Sequence, residues 1–487
     1  MPSWDGFEMQ ASVRNQYSPD TLSAMASNTP ATRVASEQTL VDDCIEWAKS
    51  RIAGQVFRPG MRLPSIRALA NARGVSPFTV AEAYGRLVAA GDLEARRGSG
   101  YYVRQPAPES RLRTQRADSR IDLRWLMRHM LESAAPAGPG LGVLPPLWLD
   151  GAQVASALRS LGRQGTGRWL DSGTPQGFEP LRSVLQQRLA TLDIVARADE
   201  IVLTTGITHA LNLVLRATIE RGDTVLVLDP CWFGALGVLA AHGTRVVGVP
   251  CTASGPDLDA LERLVAEEKP RLLVASSAAH NPTGLSLSRE TASRIVDIAA
   301  RYELPLFEDD AYADLCATPV ARLAALDRLR HVIYAGSFSK TLAANIRVGF
   351  LACSATLAQK IADAKVLTGF TTPELNERLI HKLLIESRYD RHARTLRERL
   401  ADARRRAKKL LESRGIEIFG ADQEGLFLWA NLATDTNRLA AAWRERGYLI
   451  APGSLFSPQQ APTTFMRFNV TTPLDAKLKE FLDSLRS

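Results

Sequence analysis

Val332-Ile333-Tyr334-Ala335-Gly336-Ser337-Phe338-Ser339-Lys340 carries an apolar run straight into two hydroxyls and an amine. The run Val332–Ala335 reads as a buried strand, and Val225–Leu228, Leu272–Ala275 and Leu304–Phe307 read the same way. Between them lies helical text, as in Leu258–Glu268 and Arg289–Tyr302. Buried strands alternating with amphipathic helices predict an α/β body with a mostly parallel sheet covered on both faces. No internal repeat recurs at a fixed period.

A lysine at a strand's end can form a Schiff base with an aldehyde once desolvation or a neighbouring cation lowers its pKa. Lys340 is followed by Arg347, whose planar fork, with the hydroxyls of Ser337 and Ser339, suits a phosphate dianion. Three further stretches fall at strand ends. Phe307-Glu308-Asp309-Asp310-Ala311-Tyr312 places carboxylates just past a strand, where one can pair with a protonated pyridine nitrogen and keep the ring an electron sink. In Asn281-Pro282-Thr283-Gly284 the amide of Asn281 can donate to a phenolate oxygen. Thr205-Gly206-Ile207-Thr208-His209-Ala210 opens a helix after the strand at 201–204, and its amides and hydroxyl can face the same phosphate. Taken singly, each also reads as an ordinary capped turn or exposed loop. Together they sit where open α/β sheets place ligands.

This constellation resembles the fold-type I pyridoxal phosphate (PLP) enzymes of the aminotransferase family over about residues 140–487. The resemblance implies that Lys340 holds PLP as a Schiff base, and that Asp309 pairs with its pyridine nitrogen. It further implies Asn281 and Tyr312 at the phenolate, with Ile207, Thr208, Ser337, Ser339 and Arg347 at the phosphate. Trp232, in Asp229-Pro230-Cys231-Trp232, stands where relatives stack an aromatic ring on the cofactor. Arg467, in Met466-Arg467-Phe468-Asn469, matches the arginine for a substrate α-carboxylate. Ser172 is a departure, because relatives carry a tyrosine there that reaches the partner subunit's phosphate.

Ahead of this body lies a different text. Val41, Ile45, Ala48 and Ile52 share a helical face, and Pro59-Gly60 makes a turn. Ser65 can cap a second helix through Leu69, and Ser76 a third that opens on Pro77, a favoured first-turn position. Asp92 to Val103 reads as a β-hairpin with Arg96, Arg97 and Gly98 at its tip. The stretch RLPSIRALANARGVSPFTVAEAYGRLVAAGDLEARRGSGYYV resembles the GntR-type winged helix-turn-helix. That resemblance implies contact with double-stranded DNA through Ser65, Arg67, Ser76, Thr79, Arg96, Arg97 and Gly98. Pro77 and Glu82 depart from the basic residues of many relatives, which leaves direct base readout open.

The 487-residue chain is long enough for two or three domains. The expected division is a disordered leader (1–35), the winged helix (36–104), a basic linker (105–120) and the PLP-binding body (121–487). Within the body, a large cofactor part spans about 165–355, and a smaller C-terminal α+β part about 356–487. The text around Trp125–Leu131 resembles the start of such a body. Five dispersed cysteines and seven histidines without a ligand array argue against disulfides and a metal. No apolar stretch reaches the ~18 to 20 residues needed to cross a bilayer, so a cytoplasmic location is expected. The net charge of +8 is compatible with an anionic partner.

A winged helix fused to an aminotransferase-like body is similar to the MocR subfamily of GntR regulators. Membership implies a homodimer that senses PLP or an amino compound, with no physiological turnover. A working aminotransferase with an accessory DNA-binding domain is the other reading.

Overall fold

The computed structural model describes residues 37–54, 56–96, 99–104, 138–163, 172–420 and 424–485. They fall into two units, one ending at Ala117 and the other starting at Asp118. The expected leader and basic linker, and the Trp125–Leu131 text, lie outside the described residues.

In the first unit, α1 (Glu37–Ala53), α2 (Ile66–Arg73) and α3 (Pro77–Ala89) precede the antiparallel pair β1 (Leu93–Arg96) and β2 (Gly100–Val103). The two serine caps form as expected. Ser65 Oγ accepts from the amide of Ala68 at 3.2 Å, and Ser76 Oγ accepts from that of Thr79 at 3.0 Å. Val41, Ala48, Leu69, Val80, Leu87, Leu93 and Val103 form the unit's core. At its centre Tyr84 is fully buried, and its hydroxyl donates to the Pro64 carbonyl at 3.0 Å, pinning α3 to the turn that launches α2.

The second unit opens with α4 (Gly151–Gly162) and α5 (Glu179–Ala190), then alternates strand and helix. The order is β3 (Ile201–Thr204), α6 (Ile207–Thr218), β4 (Thr224–Asp229), α7 (Phe233–His242), β5 (Arg245–Thr252), β6 (Gly255–Pro256), α8 (Leu258–Glu268), β7 (Leu272–Ala275), α9 (Arg289–Tyr302), β8 (Leu306–Asp309), α10 (Leu323–Asp327), β9 (Val332–Ser337) and β10 (Gly349–Ala352). They make one sheet in the order β3-β10-β9-β8-β7-β4-β5-β6. Every pair from β9 to β5 is parallel, while β10 runs antiparallel to both its neighbours. Strand β3 therefore points the same way as β9, and the C-terminal ends of β3, β4, β7, β8 and β9 share one edge. Strands β3 and β7 are buried at every residue, which is what helices on both faces require.

After β10 come α11 (Ala355–Gly369), α12 (Glu374–Ile385) and α13 (Arg388–Glu412). A smaller antiparallel sheet follows in the order β11-β12-β14-β13, from Glu417–Ile418, Phe427–Asn431, Phe465–Asn469 and Ala451–Pro452. Helices α14 (Thr436–Glu445) and α15 (Ala476–Asp483) complete the unit.

The strand expected at 304–307 is displaced to Leu306–Asp309. The amide of Leu304 still belongs to the end of α9, donating to Ala299 at 2.9 Å, and the pairing with β9 starts at Leu306. Glu308 and Asp309 are consequently the last residues of the strand, and their side chains go to opposite faces. Among the described residues no helix is long and apolar enough to cross a membrane.

Tyr84→Phe should remove the hydroxyl that satisfies the Pro64 carbonyl, a loss of ~1 kcal/mol. Amide exchange in α3 should quicken about fivefold by mass spectrometry, with exchange in the second unit unchanged.

Candidate functional site

The shared edge gathers the expected site residues. Helix α6 follows β3 through Gly206, which has φ 101° and offers no side-chain cap. The amides of His209 and Ala210 turn back to the Gly206 carbonyl, leaving those of Gly206, Ile207 and Thr208 directed outward. A Cβ on Gly206 would lie 3.1 Å from Nη2 of Arg347, so glycine lets the guanidinium close over the helix start. Arg347 Nη1 also reaches Ser339 Oγ at 3.5 Å, and Ser337 Oγ accepts from the Ser339 amide at 3.2 Å. Helix amides, a guanidinium and two hydroxyls form an anion cradle. Ile207's side chain is buried in the core, so only its backbone faces this cradle.

Three strands across the sheet, at the end of β8, Asp309 Oδ1 accepts from the Ala311 amide at 3.0 Å, and its carbonyl accepts from Ser276 Oγ at 2.6 Å. Desolvation raises its pKa to about 6, with Asp310 adding to the rise and Lys340 opposing it. Its neighbours are spent elsewhere. Glu308 is fully buried, accepts from Ser277 and holds the first amides of α10, those of Leu323 and Ala324. Asp310 pairs with Arg322 at 3.1 Å and Tyr334 at 2.8 Å. Of the three carboxylates only Asp309 lines the cavity shared by Trp232, His280, Asn281 and Tyr312.

Asn281 Nδ2 donates to the Tyr312 hydroxyl at 3.3 Å, and its Oδ1 accepts from Arg467 Nη1 at 3.0 Å. Lys340 Nζ sits 5.5 Å from the centre of the Tyr312 ring. Desolvation lowers its pKa to about 8, and the charges of Arg467 and Arg347 press the same way against Asp309. A fraction of the amine is thus unprotonated near neutrality.

Arg467 is 1% exposed, flanked by the rings of Phe427 at 4.4 Å and Phe456 at 5.2 Å. Its Nη2 donates to the Gly140 carbonyl at 2.6 Å, and its buried Nε has no partner. A guanidinium so enclosed favours an incoming carboxylate.

These residues fit PLP. The outward amides at Gly206 and the adjoining Arg347 suit its phosphate, Asp309 its ring nitrogen, Asn281 and Tyr312 its phenolate oxygen, and Lys340 its aldehyde. Trp232 lines the cavity but folds back over Gly234, where a Cβ would collide with its ring. Ser172 is exposed. Sequence reading passed over two neighbours. His209 Nδ1 accepts from the Thr205 amide at 3.0 Å, and burial lowers its pKa to about 4, so it stays neutral beside the cradle. The backbone Gly138–Leu144, whose carbonyls meet Arg467 and Lys340, carries no polar side chain that could have marked it.

In the first unit Ser65, Arg67 and Ser76 are exposed along the starts of α2 and α3. Thr79 is 2% exposed, and its hydroxyl lies 2.7 Å from Ser76 Oγ. In the same turn the ring of Phe78 is 71% exposed. Glu82 is paired with Arg86 Nε at 3.0 Å. Arg97, Gly98 and the Arg96 side chain lie outside the described residues.

Residues 149–485 match the family of class I and II aminotransferases, and residues 48–103 match the gntR family of bacterial regulatory proteins. The HTH-type transcriptional regulator YdcR of Escherichia coli is 31% identical over 437 residues, covering 87% of this chain and 93% of that one. The 2-aminoadipate transaminase of Thermus thermophilus is 33% identical over 268 residues, 53% of this chain and 65% of that enzyme. Among solved structures, LysN, the α-aminoadipate aminotransferase of Thermus thermophilus complexed with N-(5'-phosphopyridoxyl)-L-leucine, superposes with a TM-score of 0.67. It is 27% identical, over 74% of this chain and 95% of that one. Kynurenine aminotransferase of Pyrococcus horikoshii shares the fold at TM-score 0.69 and 23% identity, over 75% of this chain and 95% of that one.

Because the folded chain holds the Asp309 proton more tightly than the unfolded chain, this group's contribution is full below pH ~4 and lost as pH rises through about 6. Asp309→Asn should abolish that component. In urea titrations of the cofactor-free protein, the stability of the variant relative to the parent should therefore rise between pH 4 and 6 and then level off.

Proposed function

The chain belongs to the family of class I and II aminotransferases, with a GntR DNA-binding module at its front, the MocR arrangement, and we propose that it regulates transcription by sensing an amino compound at a PLP site. The observation that carries this is the coexistence of a complete-looking cofactor site with a DNA-reading unit. PLP, when bound, supplies an electrophilic aldehyde carbon and an electron-accepting ring.

The chain's own residues do the rest. Lys340 presents an amine whose depressed pKa leaves it nucleophilic near neutrality. Asp309 would keep the ring nitrogen protonated, and its raised pKa is what a cationic partner would reverse. Asn281 orients the Tyr312 hydroxyl and Arg467 at once. Arg467 selects ligands with an acid group beside the amine, and Thr208, Ser337, Ser339 and Arg347 hold the phosphate with the α6 amides. This reading places the winged helix at 36–104, the body from 121 onward, and the protein in the cytoplasm as a homodimer. Leu367 and Phe370, 88% and 76% exposed on and just after α11, support an apolar contact with a second copy.

On DNA, Arg67 contacts phosphate with Ser65 and Ser76 beside it, and Phe78 meets a thymine methyl, the apolar mark of that base in the major groove. Turnover as an aminotransferase is the second reading, favoured by the presence of Arg467; ketoacid formation from a panel of amino acids would establish it.

Lys340→Ala should abolish the visible Schiff-base absorbance and leave the protein's affinity for its own upstream DNA indifferent to PLP and amino acids. Identical DNA binding by parent and variant with PLP present would overturn the sensing reading. Arg67→Ala should weaken binding to all sequences alike and lower the salt slope by about one. Phe78→Ala should instead cost about tenfold only on sites carrying the contacted A·T pair.

A further inference from the structure

The backbone from Gly138 to Leu144 runs past Arg467, Asn469 and Lys340 as a strap fixed carbonyl by carbonyl. Arg467 Nη2 takes the carbonyl of Gly140. Asn469, two residues along the same face of β14, takes those of Leu141 and Val143 at 3.0 Å each through a single Nδ2. Between these two, the Gly142 carbonyl accepts from Lys340 Nζ at 2.7 Å. The strap is seated on the small sheet as well: the amide of Gly140 donates to Leu449 and that of Asn469 to Pro139, both at 2.9 Å. A Cβ on Gly140 would lie 2.7 Å from backbone atoms of Ile450 and Ala451, so this approach admits glycine alone.

We propose that the strap Gly138–Leu144, positioned by Asn469, senses whether Lys340 carries a free amine. Asn469 is 1% exposed, and its Oδ1 is held by Thr471 at 2.9 Å, so the amide nitrogen is committed to the strap. Asn469 holds the Leu141 and Val143 carbonyls, and the Gly142 carbonyl between them is left to Lys340. A free lysine amine rotates and offers two or three protons to that carbonyl. Condensation of Nζ with an aldehyde forms a carbon–nitrogen double bond and releases water, which leaves Nζ trigonal with at most one proton in a fixed direction. The strap then loses its central hydrogen bond. An incoming primary amine that takes over the aldehyde carbon forms its own double bond to it and returns two hydrogens to Nζ, restoring the contact. The strap is the first described segment of the body in chain order after the DNA-reading unit, and its docking reports which nitrogen holds the cofactor.

The inference rests on Lys340 taking the cofactor, and its test separates the two. Hydrogen exchange of the 138–144 and 465–470 peptides is followed in full-length protein alone, with PLP, and with PLP plus an amino-acid panel, alongside the visible spectrum. Exchange should rise about five- to tenfold with PLP, as for loss of one ordinary hydrogen bond, and fall back with any amino acid that shifts the absorbance. Lys340→Ala should exchange fast in all three states. Asn469→Asp, which removes the Nδ2 donor, should also be fast and insensitive, whereas Asn469→Gln should recover part of the response. Absorbance with unchanged exchange would overturn the strap alone. Absence of absorbance would overturn the Schiff-base reading and the strap with it.

Discussion

Charge is expensive in the half-buried pocket where Lys340 lies, and the body's chemistry depends on that expense. Removal from water lowers the lysine's pKa to about 8, and the same removal raises that of Asp309 to about 6. Two guanidiniums, Arg347 and Arg467, stand close enough to oppose a further cation. A pocket so balanced holds an amine ready to react and a carboxylate short of a positive partner. A cationic ring nitrogen and a dianionic phosphate complement it on both counts. The parallel sheet makes this possible, because it brings five strand ends, widely separated in sequence, to one edge.

Much of that arrangement could be read from the chain. The alternation of apolar runs and helical text specified the parallel sheet, and the polar residues after each run marked its ligand-binding edge. Without the family resemblance, which named Asp309, the residues alone left three acids open, because where β8 ends decides which one faces the cavity, and that depends on where α9 releases Leu304. Thr79 lies on the buried face of α3 with its hydroxyl beside Ser76 Oγ, while Phe78 in the same turn is exposed; a motif does not state which face of a helix a hydroxyl takes. The strap was illegible because its polar groups are all backbone, and backbone carbonyls look alike in every sequence.

The two units use one device at different scales. In the first, Ser65 and Ser76 occupy the amides at the starts of α2 and α3. In the second, Glu308 does the same for α10, whereas α6 has Gly206 in place of a capping side chain. Helix starts closed by serine or glutamate serve architecture. The start of α6, beside Arg347 and without a capping side chain, is left for a ligand.

Arg467 carries a consequence of another kind. Its guanidinium is sealed among aromatic rings with one N–H unanswered, so the protein itself carries an unmet demand for negative charge at this point. A simple amine entering there would leave the demand in place, whereas an amino acid would meet it. Discrimination between the two then comes less from attraction to the right ligand than from the discomfort of the cation in its absence.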